Sequence, residues 1–512
     1  MTERTVVISP APTANGDLHL GHLAGPFLAA DVYTRYLRAT GRTAYFGTGF
    51  QDTSTFVVTT AKRRGVTPKA LVAESAEQIA STLDAVGIGV DGFTGDDERF
   101  TKWVADFWGR VHGAGKLELK TMDFLYSPKT GRFLVDGFAA GGCPLCLADG
   151  CAGLCETCGN PIAAADLIDP RSTLDPDDPV EPREARVLVL PMERYRERLR
   201  AYFDGHTTAM RPHMAQALRE MLSRPLPDYP VTYPISWGIP APFPEVAGQV
   251  FNPNAEPAAW SMHASALSAE RCGEVPVADD ALWRPGSGTK VVYFLGFDNT
   301  YPFAVAMTAV LLAHGDQYAL PAEFITNEFY LLDHEKFSTS RGHVVGGREL
   351  AAEVPRDLIR FHLAATSPEN QCTNFSREAM AKVTRSWLAE PWNRVAAKAD
   401  QWAGRGPLPV SEGSRGAAAR IIDRFAASYE LDCFSLTRAA GTLTEQIARL
   451  DRWDVAPGEA GDFCHEIDVV LRCAAPILID LAAAALPDTA IRRAAPATVT
   501  PVRLPRLGDR HA

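Results

Sequence analysis

No segment of this chain stays apolar for the roughly 18 residues a membrane span needs. No charged leader precedes the first strand-like run, Thr5 to Ser9. Neither a membrane span nor a signal peptide is therefore expected, and a cytoplasmic location follows. Positive charge is also short: 51 Lys and Arg stand against 62 Asp and Glu, a net charge of −11. Nucleic-acid binders usually present a basic face, so any such surface here must be a local patch. Internal repeats are absent. Cysteine is sparse outside one window, residues 143–158. In a cytosolic chain that pattern argues against disulfides and for metal or free thiols. Cys272, Cys372, Cys433, Cys464 and Cys473 are scattered and expected to be inert buried thiols.

What is present is ample. With 512 residues the chain exceeds one ordinary core, and two to four domains are expected. Strand-like runs (Thr5 to Ser9, Thr43 to Phe46) alternate with amphipathic helices (Gly25 to Ala39, Pro68 to Ala85), the script of a doubly wound parallel sheet. An insertion at 116–235 carries the cysteines and a loop-like Pro- and Asp-rich stretch, Asp169 to Pro182. The α/β pattern resumes from 236 to 356, with a strand over Lys290 to Leu295. From 357 to 512 the pattern is mostly helical, with an inter-helix loop at Ala403 to Gly416 and a Pro- and Arg-rich tail from Pro487, disordered or packed across the body.

Two short strings about 315 residues apart carry chemistry. The first is Pro12-Thr13-Ala14-Asn15-Gly16-Asp17-Leu18-His19-Leu20-Gly21-His22. The second is Lys336-Phe337-Ser338-Thr339-Ser340. A strand, a Gly-containing turn and a helix N-terminus make a phosphate seat. His19 and His22 can donate to phosphate oxygens, and Lys336 supplies a mobile charge for departing pyrophosphate. Together the strings resemble the HIGH and KMSKS signatures of class I aminoacyl-tRNA synthetases. Ala30-Asp31-Val32-Tyr33-Thr34-Arg35-Tyr36-Leu37-Arg38, then Gly41, is similar to a helix and turn of the methionyl-tRNA synthetase family. That resemblance implies a Rossmann-like α/β fold with a zinc-knuckle insertion and a C-terminal helical domain. It implies ATP and Mg²⁺ as well. Asn15, Gly21, Ser338 and Ser340 would join His19, His22 and Lys336 around ATP. Gly296-Phe297-Asp298 resembles the family segment under the nucleotide, where Asp298 would accept the ribose hydroxyls. An ordinary strand-to-helix cap by Asp298 is the alternative.

Cys143-Pro144-Leu145-Cys146 and Cys155-Glu156-Thr157-Cys158 have the spacing of a tetrahedral thiolate site for structural Zn²⁺. Four thiolates leave no open position for water, and Cys151 is a spare. The alternative is a knuckle that has lost its metal and survives as packing.

The family's methionine pocket is mostly missing. Its positions fall on Thr13, Gln51 with Asp52 beside it, Asn254, Asn299 and Phe303. A thioether wants an apolar surround, whereas most of these offer hydrogen bonds, so a polar or small amino acid is expected. Misalignment would restore methionine. In the helical region Arg394 and Trp453 match two anticodon-reading positions, while Glu390 or a gap falls at a third, and Pro391 is expected to disturb the helix.

Three readings follow. The first is ATP-dependent amino-acid activation followed by transfer to an N-hydroxylated small molecule, as in the synthetase-like half of hydrazine synthetases. No His-x-His pair is present, so a separate cupin protein would be needed. The second is a methionine–tRNA ligase that charges tRNA. The third is a non-catalytic binding protein.

Overall fold

Short β-branched and aromatic runs bounded by Gly and Pro become five strands: β1 (Arg4–Ile8), β2 (Thr43–Gly49), β3 (Gly92–Thr94), β4 (Thr289–Gly296) and β5 (Glu323–Asn327). They form one sheet in the order β5-β4-β1-β2-β3. β1 runs parallel to β4 from Arg4↔Thr289 to Ile8↔Tyr293, and β2 runs parallel to β3. Strand order reverses beside β1, and ligands of such sheets bind beyond the carboxyl ends at that reversal. The computed structural model describes residues 3–175, 177–206, 210–337, 343–494 and 496–508. Two compact units emerge: Met1–Asp17, Tyr45–Ala80 and Val90–Thr326 in one, Leu18–Ala44, Ser81–Gly89 and Asn327–Ala512 in the other.

In the first unit, Asp97 caps the helix Glu98–Gly113 by accepting from the Phe100 amide at 2.7 Å. The helix buries Phe100, Trp103, Val104, Phe107, Trp108 and Val111, spaced for one face. The indoles of Trp103 and Trp108 donate to the carbonyls of Ala259 and Ala255, each at 3.0 Å. Those bonds fix the helix Pro257–Arg271 and the turn before it. The insertion hangs on a long antiparallel pair, Glu118–Ser127 with Glu181–Leu190. The expected loop from Asp169 is shorter than its composition suggests. Ile168–Ser172 is a strand paired with Ala139–Gly142, because Pro170 falls at an irregular step of that ladder.

The second unit is mainly helical. Its helices include Leu28–Ala39, Arg356–Ala365, Glu390–Ala399, Glu412–Tyr429, Leu436–Arg452 and Ala460–Ala474. Three expectations need correction. Ser411 caps a helix that begins at Glu412 and takes the last five residues of the expected loop, because Asp462 fixes the Ser411 amide and hydroxyl at 2.7 and 2.6 Å. Pro391 does not break its helix; it sits in the first turn of Glu390–Ala399, after a wide turn over Thr384–Ala389 that removes the carbonyl clash. Cys272, Cys372 and Cys433 are exposed, and only Cys464 and Cys473 of the scattered thiols are buried. The tail packs on its own unit: Trp392 donates to the Pro505 carbonyl and Asn393 to that of Leu507, both at 2.9 Å.

One buried ion pair orders this unit. Asp31, on Leu28–Ala39, is 1% exposed and Arg360, on Arg356–Ala365, is 0% exposed. The Arg360 guanidinium donates to Asp31 Oδ2 at 2.6 Å and to the carbonyls of Gly87, Pro476 and Ile477 at 2.7–3.0 Å. Arg35 and the Gly89 amide complete the carboxylate at 2.8–3.0 Å. Burial alone would raise the Asp31 carboxyl; Arg360, Arg35 and the Gly89 amide outweigh it and hold the group below the usual range. Removing one partner of such a pair leaves a buried charge uncompensated, at a cost of ~3–5 kcal/mol. Asp31→Ala is therefore expected to lower the urea midpoint by that equivalent, read by circular dichroism. A loss under ~1 kcal/mol, the range of an exposed pair, would contradict this account.

Candidate active site

The first string enters the second unit at Leu18, and His19 caps a single helical turn, Leu20–His22. His19 Nδ1 accepts from the Gly21 amide at 3.1 Å, and His22 Nδ1 accepts from the His19 amide at 3.4 Å. With Nδ1 an acceptor in each ring, Nε2 carries the proton and is the donor left for a ligand. The rings stack with centroids 3.9 Å apart. Burial lowers both pKa values, that of His22 to about 4; for His19 the neighbouring His22 adds to the effect. Near neutral pH both are uncharged N–H donors.

The second string reaches the first. Phe337 stacks on His19 with centroids 4.8 Å apart and planes within 9°. A Cβ on Gly21 would lie 2.9 Å from the His19 ring and 3.3 Å from Phe337, so the glycine is needed for lack of space. Lys336 Nζ sits 3.8 Å from the Phe329 ring centroid, a cation–π rest position. The chain beyond it is tied back by Leu20 N–H to Val345 O at 3.1 Å and Gly347 N–H to Leu18 O at 3.2 Å. Ser338 and Ser340 lie outside the described residues.

In the first unit, Asn15 closes a tight turn by donating its amide to Thr13 O at 2.8 Å, and Thr13 pairs with Gln51 as a backbone bridge. After β4, Asp298 Oδ1 accepts from the Asn299 amide group at 3.2 Å; a Cβ on Gly296 would meet that same oxygen at 2.5 Å. Gln51, Asp52, Asn254, Asn299 and Phe303 share the wall of one cavity of about 90 Å³. Thr13 is not in that wall. Asp96, Leu154, Glu256 and Trp260 are, and sequence motifs gave no notice of them. Their available signal was the lone acid Glu256 in an otherwise apolar approach to a helix.

This cavity is acidic. Burial and then Asp96 push the Asp52 carboxyl up to about 6. Glu256 is 4% exposed; Thr53 Oγ1 donates to its Oε2 at 2.8 Å, while its Oε1 is buried without a hydrogen-bond partner. Burial holds its pKa well above the usual carboxyl range. The Trp260 indole N–H is also buried without a partner.

Cys143, Cys146, Cys155 and Cys158 bring four sulfurs within 4.8 Å of one another. Two cross-pairs, Cys143–Cys158 and Cys146–Cys155, stand 3.9 and 3.6 Å apart. Tetrahedral bonds of about 2.3 Å to zinc place sulfurs about 3.8 Å apart, so the donor set fits Zn²⁺. Cys151 stands outside the four. The knuckle reaches toward the cavity: Leu154 supplies its wall, and Gly159 lies against Phe297, next to Asp298.

Residues 5–398 match the family described as tRNA synthetases class I (M). The chain belongs to that family. Among its relatives are the methionine–tRNA ligases of Chlorobaculum tepidum, 31% identical over 400 residues, and of Porphyromonas gingivalis W83, 30% identical over 453 residues. These alignments cover 76% and 85% of this chain, and 56% and 65% of the relatives. The chain thus spans little more than half the length of the first of them. Methionyl-tRNA synthetase from Mycobacterium tuberculosis, solved with methionyl-adenylate, shares the fold with a TM-score of 0.76 at 18% identity, over 98% of this chain and 99% of that one.

Arg394 and Trp453 of this class I synthetase belong to one patch: Lys398 Nζ donates to the carbonyls of Asp451 and Trp453, and Asp451 grips Arg394 at 2.8–3.2 Å. Glu390 is exposed on the same helix. No helix among the described residues is long and apolar enough to cross a membrane. Two outcomes are expected. The His22 imidazole should titrate with a midpoint near 4 by NMR and stay neutral at pH 6; a midpoint of about 6.5, the unperturbed value, would refute its burial. Cys158→Ser should abolish tight metal retention, read as zinc per chain by elemental analysis. Wild-type protein purified without any metal would contradict the thiolate site.

Proposed function

We propose that this chain is an ATP-dependent amino-acid-activating ligase of the methionyl-tRNA synthetase type. The observation that carries the reading is the stacking of Phe337, the residue after Lys336, on His19, the first of two neutral N–H donors. In the reaction, a carboxylate oxygen of the amino acid attacks the α-phosphorus of ATP. The new acyl–phosphate bond forms as the α–β phosphoanhydride breaks, and pyrophosphate leaves with the electron pair. His19 and His22 offer Nε2–H to the phosphate oxygens, and Lys336 moves from Phe329 to the departing charge. By resemblance to the family, Asn15 and Gly21 are assigned to the nucleotide, and Gly296 and Asp298 to its ribose. Mg²⁺ accompanies ATP as the nucleotide's own counter-ion. Cys143, Cys146, Cys155 and Cys158 would hold Zn²⁺, which would stiffen the turns that carry Leu154 and Gly159.

Asp52, with Gln51 beside it, is the group for the substrate α-ammonium. Its carboxyl is anionic above about 6 and neutral below, so the pairing is lost as pH falls through that value.

For the acceptor, tRNA is the reading that fits the named relatives better. Nothing supports an N-hydroxylated acceptor or a cupin partner. The patch of Arg394, Lys398 and Trp453 is the tRNA-facing candidate. Asp451 neutralises Arg394 there, which makes this patch a weak phosphate binder.

The deciding experiment is ATP–pyrophosphate exchange with each of the twenty amino acids, followed by charging of bulk tRNA. Exchange is expected with at least one amino acid. Lys336→Ala should lower it by about 10²–10³, the effect of losing one transition-state donor. The KM for the amino acid should rise below about pH 6. Unaltered exchange in Lys336→Ala would overturn the site. Exchange without charging of any tRNA would overturn the acceptor alone.

A further inference from the structure

The cavity shared by Gln51, Asp52 and Asn254 contains a polar imbalance that the chain does not resolve by itself. Glu256 Oε1 and Trp260 Nε1 are both buried, both lack a hydrogen-bond partner, and both residues form the cavity wall. Trp103 and Trp108 hold this wall in place through Ala259 and Ala255, so neither group can swing to water. An unpaired buried donor or acceptor costs ~1–3 kcal/mol each. Two in one small cavity mark it as a place where a polar ligand completes the bonding.

We infer that the amino acid taken by this pocket has a short, uncharged, oxygen-bearing side chain, a hydroxyl or a carboxamide, that bonds both Glu256 and Trp260. The inference rests on the activation reading only for what happens to that amino acid afterwards. The chemistry of the wall restricts the class. Trp260 N–H can only donate, so the side chain must present an acceptor; an ammonium or guanidinium has none. A carboxylate would face Asp52 and Asp96 together and be repelled. A thioether or an alkyl chain would leave both wall groups unpaired, the arrangement that discriminates most strongly against an apolar analogue. A cavity of about 90 Å³ further favours a short chain. Glu256 itself has a second bond, from Thr53, that fixes which oxygen remains for the ligand. Its role is therefore selection of the side chain, while Asp52 is left for the α-ammonium.

The test is equilibrium binding of single amino acids to the full chain by calorimetry, which needs no ATP chemistry. Serine, threonine, asparagine and glutamine are compared with methionine and norleucine. At least one of the four polar ligands is expected to bind roughly 100-fold more tightly than methionine, in the range of a site built to bond the group that the analogue lacks. Glu256→Ala should erase most of that preference, and Trp260→Phe should weaken the polar ligand with little change for norleucine. Where Glu256→Ala fails to fold, the wild-type ranking and Trp260→Phe decide. Methionine or norleucine binding as tightly as the polar ligands, or no binding by any of the four, would overturn the inference. Selective binding without pyrophosphate exchange would sink the activation reading and leave this assignment standing.

Discussion

The bond between Arg360 and Asp31 is the constraint on which the helical unit depends. A guanidinium with no access to water needs an acceptor for each of its N–H groups, and here the acceptors come from three places in the chain: Asp31, the turn at Gly87, and the adjacent carbonyls of Pro476 and Ile477. The helix Leu28–Ala39 follows the turn that holds His19 and His22 across Leu23–Phe27, where the backbone leaves helical geometry at Gly25. The pair therefore fixes the direction of that helix. Electrostatics of this kind add little net energy compared with an apolar replacement, but they punish misplacement. The gain is a single geometry for the helices that carry the pair.

The cavity in the other unit follows the opposite rule. Every polar atom of Arg360 and Asp31 has a partner, whereas Glu256 and Trp260 each leave one without. A protein keeps unpaired buried groups where something else supplies the partner. Neutral histidines, an Asp52 carboxyl raised to about 6 and a Glu256 carboxyl that burial raises well above the usual range show the same principle at work. Water is kept away from ionisable groups wherever chemistry is proposed, and burial is the first cause of each shift.

Much of this was legible in the amino acids because the informative patterns were local. Alternating runs around Val6 and Val291 announced the parallel sheet, and two CxxC pairs announced the sulfur cluster. Asp31 and Arg35 stood out as a helix pattern, yet their partner Arg360 did not, since nothing in sequence links positions 329 residues apart. Five of six expected pocket residues share one wall, while Thr13 is spent on a backbone bridge to Gln51. Glu256 escaped notice for a physical reason: an acid before a proline at a helix start reads as an ordinary helix N-terminus. Only its burial in the cavity wall turns it into something else. Pro391 misled in the opposite sense, because a wide turn ahead of it absorbs the clash that a proline would otherwise cause.

Both units are stitched from distant segments, and this has a bearing on how the protein is made. Asp31 leaves the ribosome 329 residues before Arg360 does. At ordinary synthesis rates of ~5–20 residues per second that gap lasts about 20–60 s. β4, which completes the sheet beside β1, also emerges late, near residue 289. For much of its birth the nascent chain carries an acid that only Arg35 and the Gly89 amide answer and an open strand edge. Such an edge is a template for mispairing until β4 emerges to cover it.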